Sequence, residues 1–386
     1  MSDTVYTRPE HEHLRREVAR FIAREVEPNA AAWDAQGFVP RAVLRTMGAL
    51  GWLGLTVAEA DGGAGTDMVT NVVFQEALAR STSGGFVITV LVHTDMASPH
   101  LVDAGSTAQK QRWLPRILAG EVITAVAISE PDTGSDVAAI RTRAVRDGDH
   151  YVLDGTKMFI TNGVHADLLF VAARTEPVTG SRSSHGISIL AVERTTTGLR
   201  VGRTLAKHGW LASDTAELVF ENCRVPADNL LGKENRGFQA ILRNFQIERI
   251  ALASMAVGEA QTALDLTLRY VRERKAFGGT LWDQQAVRQR LTMRAAQVEA
   301  ARQFLYHCAW MVDQRRDAVR EVSMLKALTG ELVNDVMYDC QQFHGGAGYM
   351  RESPIERLVR DARVLAVGGG ATEVMLEEVA KRWVPA

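Results

Sequence analysis

The sequence contains few cysteines and no long hydrophobic run. Cys223, Cys308 and Cys340 are its three cysteines among 386 residues, and none of them belongs to a CxxC pair. This spacing argues against a disulfide framework and a zinc site and is typical of a reducing compartment, so we expect a cytoplasmic protein. No stretch reaches the roughly 18 apolar residues of a membrane span, and the polar N-terminus lacks the apolar core of a secretory signal.

Charge and common motifs narrow the function further. A net charge of −2 provides no basic surface for nucleic acid. There is no GxGxxG after an early strand and no P-loop, and Gly134-Ser135 lacks the flanking pattern of a nucleophile elbow. The ten histidines are scattered and predict no metal site.

Hydrophobic periodicity divides the chain into three parts. Helical spacing dominates 1–120, where the first apolar stripe is expected to end near Pro28. Short β-branched runs dominate 121–235, and Asp-Gly pairs at 147–148 and 154–155 predict tight hairpin turns. Long amphipathic runs fill 236–386.

This order predicts an α+β multidomain fold. We expect an N-terminal helical domain over 1–120, a central β domain over 121–235 and a C-terminal helical bundle over 236–386. A doubly wound α/β sheet is excluded because it requires strands and helices that alternate.

Four short motifs contain the chemistry-bearing residues. They are SEPDTGSDV at 129–137, KMFITNG at 157–163, RKAFG at 274–278 and FHGGAGYM at 343–350. Each is weak alone, because a polar turn is usually an ordinary capped loop and a glycine cluster an ordinary turn. Glycines also allow a backbone to approach a flat or phosphorylated ligand closely.

Together, in this order and over essentially the whole chain, the motifs resemble the acyl-CoA dehydrogenase family. The resemblance implies an N-terminal helical domain, a central β domain and a C-terminal four-helix bundle. It also implies FAD as cofactor and an acyl-CoA substrate, which a carboxylate deprotonates at the α-carbon while the β-hydride passes to flavin N5. The product would be a trans-2-enoyl-CoA.

The resemblance assigns roles in the β domain residue by residue. Ile128 and Ser129 would contact the isoalloxazine, and Thr161 would bind near N5. Phe159 would cover one flavin face, where many members have tryptophan. Ser135 would lie on the substrate side, near the CoA portion.

Further roles fall in the C-terminal part. Arg274 and Phe277 would meet the FAD of a neighbouring subunit, as would Gln342 and Gly346. Arg249 resembles the arginine that helps organise the acyl-CoA site. These roles require a neighbouring copy, and family members are mostly homotetramers built as dimers of dimers.

The position of the base is the main question that the sequence raises. Many members of the family have the glutamate in a late YEGT motif, but Gly368 and Gly369 occupy the matching pair here. A smaller group, which includes isovaleryl-CoA and long-chain acyl-CoA dehydrogenases, has it in an ERL motif on the first long bundle helix. Glu248-Arg249-Ile250 matches that motif, so Glu248 is the predicted catalytic base.

Two other interpretations concern nearby residues. Glu248 could instead be a structural carboxylate paired with Arg243 or Arg249, because a buried carboxylate must be paired, neutral or used. Glu373 is a weaker base candidate that rests on its proximity to the glycines. Ala371 stands where the family often has threonine, and Thr372 would substitute only if the loop shifts by one residue.

Alternative functions share the same fold. A flavin monooxygenase typically lacks the base glutamate, and plant and animal acyl-CoA oxidases are usually much longer chains. A dehydrogenase for carrier-protein-bound acyl groups and a non-enzymatic acyl-CoA-binding relative are the remaining alternatives. For the leading function, we expect an electron-transferring flavoprotein as electron acceptor and a branched or longer acyl chain.

Overall fold

The computed structural model describes residues 5–177 and 184–383. Its first part is helical. The helices are α1 (Pro9–Phe21), α2 (Ala30–Gln36), α3 (Arg41–Ala49), α4 (Met68–Leu78), α5 (Gly84–Leu91), α6 (Ser98–Ala104) and α7 (Thr107–Leu118). A π-helical turn, Val92–Ala97, joins α5 to α6.

The first apolar stripe ends near Pro28, as predicted, because its last buried member is Val26. A π-helical turn, Ile22–Val26, follows α1 directly, and Pro28 lies in the 3₁₀ turn Glu27–Asn29 that leads into α2. Proline is tolerated there because the first positions of a helical turn do not need its missing N–H group.

The middle part is a mixed sheet. Its strands are β1 (Thr124–Ala127), β2 (Arg143–Asp147), β3 (His150–Thr161), β4 (Leu168–Arg174), β5 (Ile187–Glu193), β6 (Leu199–Thr204), β7 (Thr215–Pro226) and β8 (Leu230–Leu231). The order is β6-β7-β3-β2-β4-β5-β8, and β1 pairs in parallel with β4.

The two Asp-Gly pairs differ in their structure. Asp147 pairs with His150 across a tight β2–β3 turn, as predicted. Asp154-Gly155 lies inside β3 at a shift of register, so the second predicted hairpin is wrong. Glycine is required at 155 because a Cβ atom there would lie 2.6 Å from the Thr142 hydroxyl oxygen.

The last part consists mainly of long helices. These are α8 (Gly237–Glu273), α9 (Gln285–Asp313), α10 (Val319–His344), α11 (Pro354–Ala362) and α12 (Thr372–Ala380), with the short hairpin β9 (Lys275–Ala276) and β10 (Gly279–Thr280). The predicted order of helices, sheet and helices is confirmed, while the domain limits at 120 and 235 stay predictions. Among the described residues, no helix combines the length and apolarity needed to cross a membrane.

Helix α8 connects two hydrophobic cores. Ile241, near its start, packs with Phe170 and Ile189 of the sheet. Met255 and Leu264, further along, belong to the core that the bundle shares with the N-terminal helices. The segment between 241 and 255 therefore lies where the sheet and both helical parts meet.

Asp361 of α11 joins all three parts through backbone hydrogen bonds. Its carboxylate accepts the Gly84 N–H at the start of α5 and the Trp210 N–H after β6. Glu259 of α8 lies beside it, fully buried, and neither of its carboxyl oxygens has a hydrogen-bond partner in the described residues.

Burial makes this pair of acids retain protons. Burial, together with the neighbouring Asp361, raises the pKa of Glu259 well above its usual value. Burial also raises the pKa of Asp361 to about 7, with Asp34 adding to the effect. An acid whose pKa is higher in the folded state stabilises the fold fully below its unfolded pKa and loses that contribution as pH rises through the folded pKa.

We therefore predict that Glu259→Gln makes the stability less sensitive to pH. As pH rises from about 5 to 7, the unfolding free energy falls by about 1.4 kcal/mol per pH unit for each proton that the folded state retains and the unfolded state releases. The variant lacks one of these protons. Denaturant unfolding at several pH values measures the slope, with exposed Glu377→Gln as the control. Equal slopes for Glu259→Gln and the wild type would contradict the prediction.

Candidate active site

The predicted base is a buried carboxylate on α8. Glu248 shares a face with Ile241, Phe245 and Leu252, which follow helical spacing. Its side chain is 7% exposed, and its Oε1 accepts one hydrogen bond of 2.9 Å from the Asn244 amide. Burial raises the pKa of Glu248 to about 7, because the Asn244 hydrogen bond and the Arg249 charge offset only part of the desolvation cost.

The interpretation of Glu248 as a paired structural glutamate finds no support. In the described residues no ion pair joins it to Arg243 or Arg249. The Arg249 guanidinium lies over the Phe245 ring instead, 5.6 Å from its centroid. Burial lowers the pKa of Arg249. A carboxylate that is buried, without an ion pair among the described residues and with a pKa near neutral pH is suited to general-base chemistry.

At the alternative base position, the late glycine loop combines a left-handed backbone with a close approach of the Leu252 side chain. Gly369 has a φ of 64°, and a Cβ atom there would lie 2.1 Å from Cδ1 of Leu252. Lys326 of α10 anchors both ends of the loop, because its buried ammonium group donates to the carbonyls of Leu365 and Gly370 at 2.7 and 2.8 Å.

The two residues that follow the loop, Thr372 and Glu373, lie in the first turn of α12. Glu373 is exposed in the first turn of α12. The Thr372 hydroxyl donates to Glu331 at 2.7 Å and approaches the Ala366 carbonyl, and its substitution for the threonine missing at Ala371 stays a prediction.

A buried lysine fixes the segment that follows β1. The Lys157 ammonium group is 0% exposed and donates to the Ile128 carbonyl and to Glu130 Oε1, both at 2.8 Å. The Met158 N–H donates to the Ser129 carbonyl at 2.9 Å. These contacts place Ile128 and Ser129 beside the KMFITNG motif.

The end of β3 presents an aromatic ring to the outside. Phe159 is 67% exposed and has a φ of 63°, which is uncommon for a bulky residue. This backbone conformation costs energy that the surrounding structure must offset. Thr161 is half-buried two residues later, opposite Thr215 of β7. Ser135 is exposed on the turn that follows the Glu130–Thr133 bridge.

The remaining predicted cofactor residues lie at the far end of the bundle. Tyr270 near the end of α8 stacks on His344 at the end of α10, with ring centroids 4.3 Å apart, and thereby brings the two helix ends together. Four predicted residues, all exposed, lie on the segments that follow or end these helices: Arg274, Phe277, Gln342 and Gly346. Phe277 is 91% exposed and also has a positive φ, 52°.

The structure thus groups the predicted residues in two places. Ile128, Ser129, Phe159 and Thr161 lie together at the ends of β1 and β3, and the bundle-end residues form a second group. Their roles toward FAD and substrate stay predictions. Sequence reasoning missed Asn244 and Lys157; an asparagine four residues before the acid, on the same apolar face, was the available signal for the first.

Comparisons with known proteins agree with this architecture. Three family models match in chain order: the acyl-CoA dehydrogenase N-terminal domain at residues 8–121, the middle domain at 125–223 and the C-terminal domain at 235–384. The chain belongs to the acyl-CoA dehydrogenase family.

Individual relatives cover nearly the whole chain. The mitochondrial long-chain specific acyl-CoA dehydrogenase of Sus scrofa is 38% identical over 97% of this chain and 86% of its own length. The mitochondrial isovaleryl-CoA dehydrogenase of Pongo abelii is 34% identical over 95% of this chain and 86% of its own. A crystal structure of an acyl-CoA dehydrogenase from Geobacillus kaustophilus is similar with a TM-score of 0.94 and 39% identity, covering 98% and 99% of the two chains.

We predict that the two neighbouring glycines respond differently to alanine. Gly369→Ala forces a side chain into a left-handed backbone and against Leu252, and should lower the unfolding free energy by about 1–3 kcal/mol. At Gly368 the nearest atom to a Cβ is 3.5 Å away, so Gly368→Ala should change the unfolding free energy by less than about 0.5 kcal/mol. Denaturant unfolding measures both values.

The pair Leu252→Ala and Gly369→Ala supplies the control. Because the first change removes the clash that the second creates, the double variant should lose less stability than the sum of the single variants. Equal tolerance of alanine at 368 and 369 would contradict the expected clash with Leu252 and the expected cost of the left-handed backbone at Gly369.

Proposed function

We propose that the protein is an FAD-dependent acyl-CoA dehydrogenase in which Glu248 is the base that removes the α-proton. The observation that carries this proposal is the state of Glu248: buried, without a paired cation, and with a pKa that burial raises to about 7. Gly369 occupies the alternative base position, where a side chain would meet a left-handed backbone and the Leu252 methyl group.

The residues present fit a bound FAD. Phe159 offers an exposed aromatic face beside the ordered backbone of Ile128 and Ser129. At the bundle end, Arg274 offers an exposed cation, and a Cβ atom at Gly346 would meet nothing within 4 Å, so the backbone there is open to a large ligand. A flat ring and a diphosphate need these two kinds of surface.

In this proposal the cofactor and the protein have separate chemical roles. When bound, FAD supplies a hydride acceptor at its N5 atom. The Glu248 carboxylate takes the α-proton, the electron pair of that C–H bond becomes the new C=C bond, and the β-hydrogen departs with its pair as a hydride. The product is a trans-2-enoyl-CoA, and Glu248 ends protonated.

Other residues position the reactants in this proposal. Ile128 and Ser129 would line the isoalloxazine, Phe159 would cover one of its faces and Thr161 would bind near N5. Ser135 would contact the CoA portion. Arg249 would organise the acyl-CoA site from its place beside the base.

We predict that Glu248→Gln slows reduction of the bound flavin by acyl-CoA by a factor on the order of 10² or more, because the amide retains the shape but does not accept the proton. FAD and acyl-CoA should still bind. Stopped-flow absorbance under anaerobic conditions measures the rate.

The control is Glu373→Gln, which changes an exposed acid near the alternative base position. It should leave the reduction rate close to that of the wild type. A normal rate for Glu248→Gln combined with a slow rate for Glu373→Gln would move the base to the late loop.

We also propose that the cofactor site is shared between subunits of a homotetramer. Arg274 follows Glu248 by 26 residues along α8, which is about 39 Å on a helix axis. A dinucleotide whose ring lies beside Glu248 does not extend that far, so Arg274 and Phe277 would serve the FAD of a neighbouring copy. Exposed aromatic residues elsewhere on the bundle fit further contacts between copies: Tyr338, Tyr349 and Trp383.

We predict that Arg274→Ala lowers FAD retention more than it lowers stability, since the Arg274 guanidinium has no hydrogen-bond or ion-pair partner among the described residues. As isolated, the wild-type protein should release FAD rather than FMN on denaturation, and chromatography of the released flavin measures the occupancy. Exposed Lys275→Ala makes the same charge change one residue away and should retain FAD normally. A fully occupied monomer would refute the shared site.

The electron acceptor and compartment complete the proposal. An electron-transferring flavoprotein would reoxidise the enzyme, as the family resemblance implies. A cytoplasmic location is supported by Cys223, Cys308 and Cys340, all buried free thiols.

A further inference from the structure

Asn244 is the one side chain in the described residues that donates a hydrogen bond to the Glu248 carboxyl group. It lies one turn earlier on α8 and is 2% exposed. Its Nδ2 donates to Glu248 Oε1 and to the Met96 carbonyl, both at 2.9 Å. Its Oδ1 is buried and has no partner in the described residues.

The second acceptor of the Asn244 amide, the Met96 carbonyl, lies in a turn that the fold holds in place. Met96 belongs to the π-helical turn Val92–Ala97, which packs against α8. His93 of that turn makes contacts to the Ile117 carbonyl and to the Thr124 N–H, and Asp95 accepts from Asn71 and Gln75. The turn that contains Met96 is therefore held by hydrogen bonds from its His93 and Asp95 side chains to helices α4 and α7 and to β1.

We propose that Asn244 is the positioning residue of the base: anchored on the Met96 carbonyl, its amide fixes Glu248 Oε1, favours the ionised carboxylate and leaves Oε2 to take the substrate proton. This inference rests on the proposed function of Glu248. With the amide oriented by Met96, both N–H groups of Nδ2 are committed, one to each acceptor.

The charges around Glu248 leave this contact without a substitute. On α8 itself Arg249 is the charged neighbour, and it forms no ion pair with Glu248 in the described residues. Lys326 of α10, Glu378 of α12 and Arg382 just after α12 interact electrostatically with Arg249 rather than with the base. Asp95 of the π-helical turn is already satisfied by its own donors.

Loss of the Asn244 amide should therefore change the pH at which Glu248 ionises in a definite direction. A hydrogen bond to a carboxylate favours its ionised form, so removing the bond raises the pH at which the carboxylate ionises. At neutral pH a smaller fraction of the base is then ready to accept a proton. A purely structural asparagine would affect stability without moving this midpoint.

The test compares Asn244→Leu and Asn244→Ala with the wild-type holoprotein. The midpoint of the acid limb in the pH profile of flavin reduction should rise by an amount on the order of one pH unit. Infrared difference spectra of the Glu248 carboxyl group, with Glu248→Gln as blank, should show the same shift without turnover. The alanine variant requires only a small cavity, so one variant remains measurable if leucine disrupts packing.

The matched control is Thr262→Val on the same helix. Thr262 is buried, and its hydroxyl contacts the Arg80 and Gly258 carbonyls, so its loss costs a buried hydrogen bond that is connected neither to the base nor to the Met96 turn. The midpoint of Thr262→Val should equal that of the wild type. An unshifted midpoint in the Asn244 variants, or an equal shift in Thr262→Val, would overturn the inference.

The two proposals fail separately. If Glu248→Gln reduces its flavin at the wild-type rate, the proposed base is wrong. If Glu248→Gln is slow and the Asn244 variants titrate like the wild type, the base stands and the role of Asn244 is refuted.

Discussion

The burial of two carboxylates along one stripe of α8 is the constraint that organises this structure. Glu248 and Glu259 are eleven residues apart, which is close to three helical turns, so both face inward. Neither is paired with a cation in the described residues, and burial raises the pKa of both. An isolated buried charge is expensive, so each acid must have neutral hydrogen-bonding partners, be protonated or be used in chemistry.

The two acids meet this constraint in different ways. Glu259 has no hydrogen-bond partner in the described residues and is held near Asp361, where the N-terminal helices, the sheet and the bundle meet. Glu248 has one donor, Asn244, and lies where α8 passes from the sheet to the bundle. The first arrangement retains a proton for structure, and the second leaves a carboxylate that exchanges one near neutral pH.

Much of the architecture could be predicted from sequence because it depends on local periodicity. The order of helices, strands and long helices follows from spacing, and the resemblance identified Glu248 and the cofactor motifs. The predicted second hairpin was wrong because a tertiary contact overrides a local rule. Gly155 lies within a strand, where Thr142 packs against its backbone.

The missed residues of the site have the same cause. Asn244 acquires its role through the Met96 carbonyl, 148 residues away in sequence, and Lys157 through Ile128 and Glu130. The Leu252 side chain closely approaches Gly369 although 117 residues separate them. No periodicity in a single sequence reports such contacts, since they depend on how distant segments pack.

The most direct measurement of the central claim is the effect of deuterium at the substrate α-carbon on the rate at which the wild-type holoprotein's flavin is reduced. Anaerobic mixing with matched acyl-CoA substrates, protonated and α-deuterated, provides the comparison across a panel of chain lengths and branches. The account predicts that at least one acyl-CoA bleaches the flavin, that an equimolar amount of trans-2-enoyl-CoA forms, and that α-deuteration slows the bleaching. Absence of bleaching throughout the panel, or a rate unaffected by α-deuteration in a step limited by chemistry, would contradict it.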